Sequence, residues 1–145
     1  MKTLFLLIPF LILDTSEGWM TDFELARQEA KQNNKIMLLN FSGSDWCAPC
    51  IKMKKDIFEQ PLFQDYAQEH LVLVRADFPR SKKNQLAPDQ KARNEKLAEI
   101  YNPTGKFPLT LLLNDEGKVI YTWDGLPAAT VDDFIKQIDQ KAYGK

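Results

Sequence analysis

The chain has 145 residues, 44% of them hydrophobic and 27% charged, with a formal net charge of −1. That length and apolar content suit one globular domain with an adequate core, and the near-neutral balance leaves no basic footprint for nucleic acid. The two cysteines and the single histidine, His70, make at most three ligands, too few for a structural zinc site.

At the N-terminus, Lys2 precedes an apolar run from Leu4 to Leu13. The run is too short to span a bilayer but has the length of a signal-peptide hydrophobic region, and Ser16-Glu17-Gly18 places small residues where a signal peptidase reads. The expectation is a signal peptide over 1–18, cleavage after Gly18, and a periplasmic or otherwise exported domain over 19–145 with no stable membrane insertion. An uncleaved anchor or a buried strand competes for the same run. Losing Lys2, Asp14 and Glu17 takes the formal net charge from −1 to 0.

Thr21-Asp22-Phe23-Glu24 reads as a capping box for a first helix with Phe23, Leu25, Ala26 and Ala30 on its apolar stripe, ending near Asn33-Asn34. The short apolar run 36–42 reads as a buried strand, and Ser42-Gly43-Ser44-Asp45 as a turn. A helix is expected from near Trp46, with Ile51, Met53, Ile57 and Phe58 inward and Lys52, Lys54, Lys55 and Asp56 in water. Pro61 interrupts it, and Leu62, Phe63, Tyr66 and Ala67 restart it. Residues 71–77 form a second central strand, followed by a long polar stretch over 79–89. A third helix runs from about Asp89 to Tyr101, with Leu97, Ala98 and Ile100 inward. Pro103, Gly105 and Pro108 break the chain before the strand 109–113. Asn114-Asp115-Glu116-Gly117 turns it into a hairpin partner over 118–123. Thr130 opens a last helix carrying Val131, Phe134, Ile135 and Ile138. Units of strand and helix followed by a hairpin and a helix predict an α/β fold, a mixed sheet with helices on both faces.

The only two cysteines lie in Trp46-Cys47-Ala48-Pro49-Cys50. With a helix starting at or just before Cys47, two intervening residues bring the sulfurs to one face within bonding reach. Cys47 would sit where unpaired N–H groups and the helix dipole favour the thiolate, the nucleophilic form, which makes it the candidate attacking group. Cys50, one turn deeper beside Ile51 and Met53, is expected to be less exposed and to act as the resolving thiol. Pro49 fits the first turn, where its missing N–H costs little. A static staple remains an alternative, although so tight a loop constrains the unfolded chain little. A haem-attachment motif would need histidine at 51, which is isoleucine.

The cysteine motif after a buried strand, the Phe107-Pro108 step before another, and the terminal hairpin and helix together resemble the thioredoxin fold over about residues 19–142. Phe41-Ser42-Gly43-Ser44-Asp45-Trp46-Cys47, followed by Cys50-Ile51-Lys52-Met53, is most similar to periplasmic DsbH-type thiol-disulfide oxidoreductases and related exported isomerase-like proteins. The resemblance implies that Pro108 is a cis proline facing the cysteine pair and that the Phe107 backbone pairs with a bound substrate strand. It also implies that Trp46 covers one side of the site, a place a half-buried packing aromatic would fill equally well. One departure stands out. Many thioredoxins carry a buried carboxylate in the strand before the motif, where this chain has Asn40, a side chain that takes no proton at neutral pH. Asp45 and Glu24 are the nearby acids that could substitute, unless they are merely solvated charges.

By this reading the protein reduces or isomerises protein disulfides without a cofactor, with protein disulfides as substrates and a membrane electron donor restoring the thiols. No cation lies between the cysteines, so a thioredoxin-like potential nearer −270 mV than about −120 mV is expected. A disulfide-forming oxidase, or a non-catalytic substrate-binding or chaperone module, are the alternatives. Lys82, Lys83, Lys91 and Arg93 could engage a partner or form a solvated face.

Overall fold

In the computed structural model, residues 18–144 are described. The expected signal peptide, Gly18 apart, lies outside them. Five strands and five helices follow in the order β1 (Trp19–Met20), α1 (Phe23–Asn33), β2 (Ile36–Ser42), α2 (Ala48–Met53), α3 (Pro61–His70), β3 (Leu71–Asp77), α4 (Pro88–Tyr101), β4 (Leu109–Leu113), β5 (Val119–Asp124) and α5 (Val131–Tyr143). A single sheet of order β1-β3-β2-β4-β5 carries them. The first three strands run parallel, and β4 and β5 are antiparallel to their neighbours.

Alternation along β2 sorts the core into two layers. Met37, Leu39 and Phe41 face one side with Ala26, Ala30 and Leu97, so α1 and α4 cover it. Leu38 faces the other, with Met53, Phe63, Phe134 and Ile138 from α2, α3 and α5. Both layers lack exposed apolar surface at their centres, as a sheet buried on two faces requires. Among the described residues no helix is long and apolar enough to cross a membrane.

Several local expectations shift. The cap of α1 is Asp22, which accepts the Leu25 N–H at 3.0 Å, so the box moves on by one residue and Glu24 pairs with Arg27 instead. Leu25, Ile51, Leu62 and Ile100 are exposed. Each is apolar in sequence, but its helical phase turns it to water, and α4 buries Asn94 and Leu97 but not the expected Ile100. The helix after the cysteines widens into a π-helical turn over Lys54–Phe58, with Glu59 N–H bonding Lys54 O. The extra residue in that turn lets adjacent Ile57 and Phe58 both reach the core. The two-residue β1 was not anticipated. It pairs with Leu73 and Val74, and it seats Trp19 edge-on against Phe58 at 4.9 Å.

Candidate active site

The cysteine pair sits at the C-terminal end of the central strand. Five residues separate Ser42 of β2 from Ala48, the first residue of α2, and Cys47 occupies the N-cap position with extended backbone. Its Sγ accepts the Cys50 N–H at 3.3 Å, so the sulfur takes the place a Ser or Asp oxygen usually fills at a helix start. Pro49 follows within the first turn. Cys47 and Cys50 are joined as a disulfide, with their Cα atoms 5.2 Å apart. The helix thus starts two residues later than Trp46, and this places sulfur rather than backbone at the positive end of the dipole.

Burial does not separate the two thiols as expected, since each residue is only 4% exposed. Their surroundings do. Cys47 lies between half-buried Trp46 and exposed Ala48 and Pro49. Cys50 instead lines a cleft of about 420 Å³ with the charged side chains Lys54, Glu59, Arg75 and Asp77. His70 stands at the far end of the sheet, because β2 and β3 run parallel and Ile36 is paired with Leu71. At about 3.3 Å per residue, the length of β2 puts roughly 20 Å between it and the cysteines.

Antiparallel pairing of Phe41 with Leu109 brings the start of β4 to the same end of the sheet. The Phe107-Pro108 peptide bond is cis, as the resemblance implied. Pro108 is buried and its carbonyl accepts the Gly125 N–H at 2.9 Å. The Phe107 amide and carbonyl take part in none of the backbone hydrogen bonds among the described residues. Buried Asn102 shapes the approach to this step: its Nδ2 donates to Lys106 O at 2.8 Å and its Oδ1 accepts the Lys106 N–H at 2.9 Å. Sequence reading passed over Asn102. The signal available was Asn-Pro-x-Gly, a turn in which an Asn side chain can bond nearby backbone.

Trp46 joins the two halves of the site. Its ring lies 5.4 Å from that of Phe107, and its indole N–H donates to Phe78 O at 2.7 Å. Phe78 contacts Phe107 at 5.5 Å and Phe41 at 6.4 Å, so an aromatic cluster ties the cysteine loop to the cis-proline loop. Gly43 makes room for it. A Cβ there would lie 2.3 Å from Trp46 Cε2, and Gly43 does not need its freedom of backbone angle, so the demand is purely steric. Gly43→Ala is expected to displace the indole, break its bond to Phe78 and cost about 1–3 kcal/mol, the usual range for overpacking. Urea unfolding would read the loss, and an unchanged midpoint would contradict it.

The acids near the motif do structural work. Asp45 accepts the Arg80 and Ser81 N–H groups, both at 2.9 Å, and Asn84 Nδ2 at 3.0 Å. Those donors, the Arg80 N–H foremost, hold its carboxyl below the usual range. Glu24 is committed to Arg27 on α1. Asn40 is buried, and its Nδ2 donates to Thr110 Oγ1 at 3.0 Å, whose hydroxyl in turn reaches Met53 Sδ at 3.8 Å. The strand beneath the cysteines therefore offers a neutral polar link between β2, β4 and α2. Two carboxylates share a cleft with Cys50: Glu59, and Asp77 at the end of β3, which accepts the Ser44 N–H at 2.9 Å.

A cysteine pair capping the helix after the central strand, with a cis proline at the same end of a five-stranded mixed sheet, defines a disulfide centre of the thioredoxin class. The sequence profile of the thioredoxin-like family matches residues 18–114, and the chain belongs to that family. It is 40% identical over 93 residues, 64% of its length, to the disulfide bond reductase DsbH of Chlamydia pneumoniae. It is 30% identical over 104 residues, 71% of its length, to the thioredoxin-related protein DsbJ of the same organism. The matched stretches make up 54% and 29% of those two proteins, so the chain spans about half the length of the first relative and less of the second. Among solved structures, a DsbH oxidoreductase superposes with a TM-score of 0.76 at 31% identity, covering 85% of this chain and 82% of the other.

Proposed function

We propose that this protein is an exported thiol-disulfide oxidoreductase that reduces or isomerises protein disulfides through Cys47 and Cys50. The observation that carries the reading is Cys47 Sγ at the N-cap of α2, accepting the Cys50 N–H while bonded to Cys50 Sγ. A sulfur so placed is favoured as thiolate, both as attacking group and as leaving group. The likeness to a protein named disulfide bond reductase supports the same chemistry.

In the reduced form, the Cys47 thiolate attacks one sulfur of a substrate disulfide. A mixed disulfide forms and the other substrate sulfur leaves as thiolate. The Cys50 thiol gives its proton to water in the adjoining cleft and attacks Cys47 Sγ. That step closes the Cys47–Cys50 bond, releases the second substrate thiolate and transfers two electrons in all to the substrate. In isomerisation a substrate thiol attacks the mixed disulfide instead, and no net electrons move. Trp46, Phe107 and Pro108 position the substrate, the free Phe107 backbone groups pairing with its extended chain. A membrane electron donor restores the dithiol. Export rests on the apolar run from Leu4 to Leu13 and the small residues near Gly18.

Insulin reduction driven by dithiothreitol tests the proposal. The full-length mature chain is expected to accelerate precipitation of the insulin B chain, and Cys47→Ala to fall to the uncatalysed rate. Equal rates for the two proteins would overturn the assignment in favour of a binding module.

A further inference from the structure

We infer that the loop bearing Arg80, Lys82 and Lys83 forms a cationic lip on the rim of the active site, selecting disulfides flanked by acidic residues. The inference rests on the oxidoreductase reading above and specifies the substrate class of that site.

The loop is fastened to the cysteine turn rather than merely near it. Asp45, two residues before Cys47, holds the backbone of Arg80 and Ser81 and the side chain of Asn84. Trp46, the residue next to Cys47, holds Phe78 O. A 3₁₀ turn over Lys82–Asn84 stiffens the tip. The Arg80 guanidinium lies over the Trp46 ring, 3.7 Å from its centroid, which places a fixed positive charge directly beside the nucleophile's neighbour.

The charge there is unbalanced. Arg80, Lys82 and Lys83 are exposed, and among the described residues none of them makes an ion pair. Lys91 and Arg93, which follow in sequence, are different: they pair with Glu95 and Asp89 along α4 and form an internally neutralised helix face. Both oxygens of Asp45 are occupied by donors of the loop itself, and Asp77, the other acid at this turn, is held by Ser44, so two carboxylates stand against three cations. On a chain of net charge −1 this is a local excess of the opposite sign. Potentials of this kind reach about 10 Å at 0.1 M salt, enough to act on carboxylates within a few residues of a disulfide lying against Cys47. Such complementarity acts on encounter and on the choice of partner more than on the chemical step.

Three synthetic disulfide peptides that differ only in flanking residues, Glu, Gln or Lys, test this. The wild-type chain is expected to show kcat/KM about tenfold higher for the Glu-flanked than for the Lys-flanked peptide at low salt, approaching parity near about 0.5 M salt. Lys82→Glu combined with Lys83→Glu is expected to abolish or invert that order through KM. Equal kcat/KM on all three peptides, or a preference that survives the charge reversal, would overturn the lip. Failure to turn over even the Gln-flanked peptide would instead overturn the oxidoreductase reading. In that case calorimetric binding of the Glu-flanked peptide with its cysteines replaced by serine decides the surface: binding lost on charge reversal supports it, and no binding refutes it.

Discussion

The Cys50→Ser variant is expected to turn the protein into a trap, accumulating covalent adducts with disulfide-bearing substrates that vanish under reducing conditions. Cys47 would still attack, because its sulfur keeps the helix N-terminus and the amide of residue 50 as donors. Without a second thiol three residues on, the mixed disulfide could be cleared only by an external thiol, which is slow. Cys47→Ser is expected to give no adduct at all, since the remaining thiol lies inside the first turn of α2 rather than at its cap. Non-reducing electrophoresis and intact mass would read the difference. Adducts from Cys47→Ser and none from Cys50→Ser would exchange the two roles. The distinction rests on capping geometry, since the two residues are equally buried in the disulfide form.

The second large effect concerns the scaffold. Phe134 of α5 is fully buried, with its ring 5.0 Å from Trp123, 6.2 Å from Phe63 and 6.3 Å from Phe58. It joins the terminal helix to β5, to α3 and to the π-helical turn that follows α2. Phe134→Ala is expected to cost about 3–5 kcal/mol, through lost transfer energy and the cavity left behind. Against a total of about 5–15 kcal/mol for a domain, that is a large share. Denaturant unfolding of the disulfide form would measure it. A loss below about 1 kcal/mol would show that α5 is not integral to the core on this face.

The extent to which these features could be read from the chain follows from how local their causes are. The run Ile36-Met37-Leu38-Leu39-Asn40-Phe41 declares a buried strand by itself, and Asn114-Asp115-Glu116-Gly117 a hairpin, because apolar length and turn chemistry act over a few residues. The cysteine spacing was equally plain. Helix starts were less so: Thr21 and Asp22 are both good caps, and only the fold decides that Asp22 takes the Leu25 N–H. Ile51 and Ile100 read as core because a hydrophobic side chain does not state which way its helix is turned. The site's partners were the least legible. Arg80 over Trp46, Asp45 gripping the loop 80–84 and Asp77 beside Cys50 link residues more than 25 apart. Those contacts exist because β2 and β3 lie side by side and end together, Ser42 opposite Asp77. The cis form of the Phe107-Pro108 bond followed from the family resemblance; no property of the dipeptide alone required it.

The direction of electron flow is the centre of the functional account, and the equilibrium potential of the Cys47–Cys50 pair tests it most directly. The cap on Cys47 stabilises a thiolate, but Ala48 and Pro49 add no cation between the cysteines, and the strand beneath them presents neutral Asn40. Titration of the pair against a glutathione redox buffer is expected to return a value near about −270 mV, that of a dithiol which gives electrons to protein disulfides. A value above about −180 mV would mark the pair as an acceptor of electrons and contradict the reductase assignment.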